Sequence, residues 1–242
     1  MDNERKFIDE ELSFIIEEKI IHHLILKGFS LKDIGLFGGK AGIAIAFFCY
    51  GKYTRNNTYI EVADDLIDGF LSQVDKRTGI DFATGLCGVG WAIEFFIQNN
   101  FVVCDSNQAC IDIDRLVMLA DVRRISDVSL KTGLEGLLHY VLARLKGAMN
   151  QNNAIPFDKQ YLEDLHGKLL SIDPTLISED FSLLIEEFDS FMNKGIFSYE
   201  LKIELFIECV EFEEKDINHA RLGLNNGLAG ILAKLIKSEN LN

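Results

Sequence analysis

Apolar residues in this chain recur at intervals of three and four, and segments of two kinds alternate along it. The first kind has an apolar stripe and a charged face: residues 9–26, 59–74, 108–119, 159–170 and 200–210. The second kind is apolar around its circumference: residues 42–50, 88–97, 136–145 and 230–236. A helix that is apolar on all sides belongs in an interior. The pattern therefore predicts charged outer helices alternating with greasy inner ones. No alternating apolar run is bounded by hairpin turns, so strand signals are weak.

Each greasy segment opens on the same motif, G-x-x-G followed by an apolar residue. It reads Gly39-Lys40-Ala41-Gly42-Ile43, Gly85-Leu86-Cys87-Gly88-Val89, Gly133-Leu134-Glu135-Gly136-Leu137 and Gly227-Leu228-Ala229-Gly230-Ile231. The first glycines lie 46, 48 and 94 residues apart, and the last interval is twice 47. A further repeat is thus due near Asp180, where the glycines are missing but Phe181, Leu184, Ile185, Phe188 and Met192 keep a helical period. It reads as a fifth repeat without its glycines. The expected fold is all-α: one domain over residues 1–242, an α/α toroid or solenoid of about five helix pairs. The stretch 147–157, rich in Asn and Gln, is the expected long surface loop.

Glycines three apart share a helix face and permit close backbone approach, at a cost of about 1 kcal/mol each against alanine. Repeating that cost implies a geometric need, most simply tight packing of inner helices at one rim. The functional alternative is that free N–H groups at the helix starts make the rim an anion site.

These residues resemble the lanthionine synthetase C-like (LanC-like) family. The likeness is best at Gly85-Leu86-Cys87-Gly88-Val89-Gly90-Trp91, at the stretch from Gly223 to Ile231, and at that from Gly35 to Ile43. It implies a double ring of helices in lantibiotic-type peptide modification. The family normally has seven inner helices, so the five counted here imply a small or incomplete ring. The resemblance also implies a zinc ion that activates a peptide cysteine, held by one Cys before a G-x-x-G and a Cys-His pair before the next. The Cys-His position falls on Asn225-Asn226, and the earlier Cys falls near Glu179 and Asp180. Asparagine amides are poor zinc ligands beside thiolate and imidazole. No metal and no other cofactor is therefore expected. Cys49-Tyr50-Gly51 imitates the ligand motif but follows its helix, and reads as a buried Cys near a helix end.

Other rim candidates follow from the repeat. Asp81 and Thr84 precede the second motif, Lys131 and Thr132 the third, and Glu135 lies within the third. His219 and Arg221 precede the last motif and join Asn225 and Asn226. Thr84, Thr132 and Asn226 can equally be plain N-caps. Asp81 and Glu135 could supply the carboxylate pair of a glycosidase-like toroid, by fold analogy only. Cys87 and His139 read as core residues.

Composition narrows the partners. Nearly half the residues are apolar and only two are proline, which suits long helices. A net charge of −14 argues against nucleic acid and against an anionic membrane surface. Five cysteines without CxxC spacing read as reduced thiols. The charged start carries no signal-peptide pattern and no apolar run spans a bilayer, so a cytoplasmic protein is expected. Three functions compete: a LanC-like protein that binds a peptide or a peptide-modifying enzyme without cyclase activity, an enzyme with a metal-independent site at the glycine rim, and a divergent zinc cyclase. An incomplete ring would leave one inner flank for a second copy to cover.

Overall fold

The computed structural model describes the backbone of residues 2–208 and 214–239, and the side chains of 15–208 and 217–236. Among the described residues there are nine α-helices and no strand. They are α1 (Asp2–Gly28), α2 (Lys40–Thr54), α3 (Asn57–Leu71), α4 (Leu86–Gln98), α5 (Ser106–Met118), α6 (Leu134–Asn150), α7 (Lys159–Leu170), α8 (Glu179–Lys194) and α9 (Leu228–Glu239). The all-α alternation is consistent with an α/α toroid.

The chain forms two compact units. The first comprises Met1–Gln73 and Ile203–Asn242, and the second Val74–Lys202. In the first, α2 packs on α3 and on α9, so the last repeat sits directly on the first. In the second, α4 packs on α5 and α6, and α8 on α6 and α7.

Burial follows the two kinds of sequence pattern. Every residue of α4 from Leu86 to Ile97 is buried, and so is α2 from Lys40 to Phe48. By contrast α3 buries only Ala63, Leu66 and Phe70. The two kinds of helix also start differently. Asn56, Asp105 and Ser178 cap α3, α5 and α8 with side chains that accept from Thr58, Gln108 and Phe181 N–H. Gly39, Gly85 and Gly133 cap α2, α4 and α6 with no side chain at all.

Three expectations change. The fifth repeat, α8, buries only Phe181 and Phe188, and Leu183 is half exposed. With its Ser178 cap it is built like an outer helix. The outer helix expected over 200–210 is a single 3-10 turn, Ile203–Phe206, and residues 209 and 210 lie outside the described residues, as does Cys209. The expected loop at 147–157 starts later, because α6 runs on to Asn150 with Gly147 buried inside it.

Candidate functional site

The four glycine motifs share one construction. The first N–H of each helix donates to the carbonyl seven residues earlier. Lys40 bonds Asp33 at 2.9 Å, Leu86 bonds Gly79 at 2.8 Å, Leu134 bonds Asp127 at 2.9 Å and Leu228 bonds Arg221 at 2.8 Å. In α9 the next two, Ala229 and Gly230, donate to Leu222 and Gly223. An α-helix normally begins with unpaired N–H groups. Here the preceding loop folds back and takes the first N–H of α4 and α6, the first two of α2 and the first three of α9. The anion-site reading is thereby corrected at α9, whose three leading donors are already bonded, and the first donor is taken at every one of these starts.

The same fold-back explains both glycines. A Cβ on the first would lie 2.3 Å from Gly35 N (Gly39), 2.2 Å from Gly79 O (Gly85) or 2.4 Å from Asp127 O (Gly133). A Cβ on the second would lie 2.1 Å from Leu36 O (Gly42), 2.2 Å from Leu130 O (Gly136) or 2.1 Å from Leu224 O (Gly230). The close approach is therefore first to the helix's own loop, and only second to a neighbour. Neighbouring loops pair as well. Ala83 N–H donates to Lys131 O at 3.0 Å in the second unit, and Asn225 N–H to Phe37 O at 3.0 Å in the first.

The sequence-predicted rim residues fall into two sets, one in each unit. In the second unit the pairing of loops brings Asp81 and Thr84 beside Lys131 and Thr132. Thr84, Lys131 and Thr132 are exposed, while Asp81 is part-buried. Thr132 is not an N-cap. Its hydroxyl donates to Asp127 Oδ2 at 2.5 Å, and this bond, with those from Ser129, holds the Asp127 carboxyl below its usual range. Glu135 is half-buried one turn further on. Burial and then the Asp180 carboxylate raise its pKa. Its charged neighbour is thus Asp180, at the start of α8, rather than the Asp81 of the glycosidase analogy.

In the first unit His219 ends a 3-10 turn, Glu214–His219, and is exposed, as is Arg221. The two asparagines do not cap α9 either. Asn225 Nδ2 donates to Phe206 O at 3.0 Å. Asn226, at φ 52°, donates its N–H to Glu208 O at 2.9 Å and its Nδ2 to Glu208 Oε2 at 3.0 Å. Short polar side chains are the ones that tolerate this left-handed backbone.

These residues do not fit a zinc ion. Both amides turn N–H groups toward oxygen acceptors. The position of the earlier thiolate holds Glu179 and Asp180, which open α8 behind Ser178. Zinc wants thiolate, imidazole or carboxylate in a tetrahedral set, and among the described residues no three His, Cys, Asp or Glu side chains come together that way. Burial raises the thiol pKa of Cys87 well above its usual value and pushes that of Cys49 up to about 12. A thiol held neutral is a poor nucleophile; Cys87 is a core residue, whereas Cys49, expected to be buried, is only part-buried.

His139 is a core residue too. It is 4% exposed, stacks on Phe82, and its Nδ1 meets Tyr199 Oη at 2.8 Å. Trp91 Nε1, which can only donate, reaches the same oxygen at 2.9 Å. Burial lowers the pKa of His139 to about 3, so the ring is neutral at ordinary pH.

One buried cluster escaped the sequence reading. Arg144 is fully buried between α4 and α5, and holds Asp114 with Nε at 3.0 Å and Nη2 at 2.7 Å. Its Nη1 contacts Glu94 and Ser106, and Tyr140 donates to Asp114. Glu94 has no room to spare, since a Cβ on Gly147 would lie 2.1 Å from its Oε2. The sequence signal was a lone charge inside each apolar run, Glu94 in one and Arg144 in the other.

A hollow of about 940 Å³ opens in the first unit beside Ile15, His22, Leu26 and Tyr59. None of the predicted rim residues lines it. No protein of curated function matches the chain. The sequence model described as "Lanthionine synthetase C-like protein" matches residues 30–242, beginning just after α1. Repeated glycine entrances, buried inner helices and this match together show that the chain belongs to the lanthionine synthetase C-like family.

Proposed function

We propose that this chain is a LanC-like protein of a peptide-modification system that binds a peptide or a peptide-modifying enzyme and has lost zinc-dependent ring closure. The observation that carries the reading is the fate of Asn225 and Asn226. Where the family resemblance implies a thiolate and an imidazole, two amides are tied to Phe206 and Glu208. Exposed side chains at the glycine entrances, Thr84 and Lys131 in the second unit and His219 and Arg221 in the first, would meet a partner. The acidic chain, at −14, favours a basic peptide.

The test uses a dehydrated peptide that carries a free cysteine and a Lys/Arg-rich segment. Incubation with the protein should leave the number of alkylatable thiols unchanged, while titration calorimetry shows saturable binding. Thiol loss in step with protein concentration would reject the reading, and so would absence of binding to both the peptide and its modifying enzyme. A metal-independent enzyme is favoured by one observation, the raised Glu135 carboxyl beside Asp180. Product formation that Glu135→Gln abolishes without loss of peptide binding would select that alternative.

A further inference from the structure

Three hydrogen bonds tie two consecutive asparagines to one short stretch of the first unit. Asn225 Nδ2 holds Phe206 O, and Asn226 holds both the carbonyl and the carboxylate of Glu208. The stretch has one 3-10 turn of its own, Ile203–Phe206, so little of its backbone bonding is local. Of its three buried side chains, Ile203, Phe206 and Ile207, the last two land on the rim. The Phe206 ring lies 5.9 Å from that of Phe37 in the α2 loop, and Ile207 Cγ2 lies 3.2 Å from where a Gly230 Cβ would be. Its other face is in solvent, with Glu204, Leu205 and Glu208 exposed. It therefore lies across two glycine entrances at once, those of α2 and α9.

We propose that residues 203–208 form a strap over the glycine rim of the first unit, and that Asn225 and Asn226 are its latch. The latching side chains sit at part-buried positions, where a hydrogen bond adds little net stability. The stretch adds three buried apolar side chains of its own, whereas α2 beneath it is buried at every residue from Lys40 to Phe48. The strap is thus the low-stability part, and it lifts while α2 and α9 stay folded. The inference is independent of peptide binding.

Hydrogen–deuterium exchange on the full chain tests it. In the Asn225→Ala/Asn226→Gly double variant, which keeps the left-handed backbone accessible, amides of residues 203–208 should exchange roughly ten-fold faster. Those of α2 and α9 should keep their wild-type rates. Glu208→Ala, which breaks only the side-chain bond, should give a smaller rise in the same segment. Unchanged exchange in both variants would overturn the latch. Equal acceleration in α2 and α9 would overturn the strap, because the stretch would then be part of the cooperative core. Slower exchange of 203–208 in the wild type on adding zinc would overturn both, since the asparagine corner would then be a metal site.

Discussion

Gly136 shows what the repeated motif is for. A methyl there would sit 2.2 Å from Leu130 O and 2.4 Å from Phe82 Cβ, backbone and rigid core on both sides. Gly136→Ala should therefore cost about 2–3 kcal/mol by overpacking. Gly167 is the control. It lies within α7 with nothing within 4 Å, so Gly167→Ala should stabilise by ~0.5–1 kcal/mol through propensity alone. Urea unfolding of both variants checks the contrast, and equal effects would refute the fold-back explanation.

His139 gives a pH prediction at the same scale. Unfolded, its imidazole takes up a proton near 6.5; folded, it resists until about 3. Between those values the unfolded chain binds more protons. The contribution is thus complete above 6.5 and is lost as pH falls toward 3. His139→Asn keeps an acceptor for Tyr199 but does not titrate. It should flatten the acid limb of stability against pH by a few kcal/mol, measured by thermal melts between pH 7 and 4. An unchanged acid limb would assign the loss to other groups.

At the scale of elements, helix starts were more legible than helix ends. The glycine motifs marked the starts of α2, α4, α6 and α9, because a fold-back loop leaves no room for any other residue. Lys159–Leu170 followed directly from its amphipathic period. Residues 200–210 did not, although their period looks helical. The carbonyls of Phe206 and Glu208 are taken by Asn225 and Asn226, so they are not available to a helix running through 210. That competition is between distant parts of the chain, and a local pattern cannot register it. The same holds for Arg144, whose partners lie 50 and 30 residues away. Arg144→Met should strand two buried carboxylates and cost about 3–5 kcal/mol. A melting temperature unchanged in that variant would show that the cluster is not needed to join α4, α5 and α6.

For the whole molecule, the fold class was readable because a family-wide repeat of glycines and apolar helices survives in the chain. The candidate site was readable only as a set of positions. Sequence spacing put Asn225 and Asn226 where ligands are implied, but not their attachment to Phe206 and Glu208. It offered Thr132 as a rim residue or an N-cap, whereas the hydroxyl closes its own loop onto Asp127. Among the described residues no helix is long and apolar enough to cross a membrane. The chain thus keeps the family's glycine entrances while Asn225 and Asn226 bond to Phe206 and Glu208, and Thr132 bonds to Asp127.

That makes metal content the most direct measurement. Purified full-length protein, loaded with zinc and then dialysed against a weak chelator, should retain far less than one zinc per chain by mass spectrometry of the elements. Asn225→Ala/Asn226→Gly should not change that content. One tightly held zinc per chain, lost in the double variant, would contradict the account.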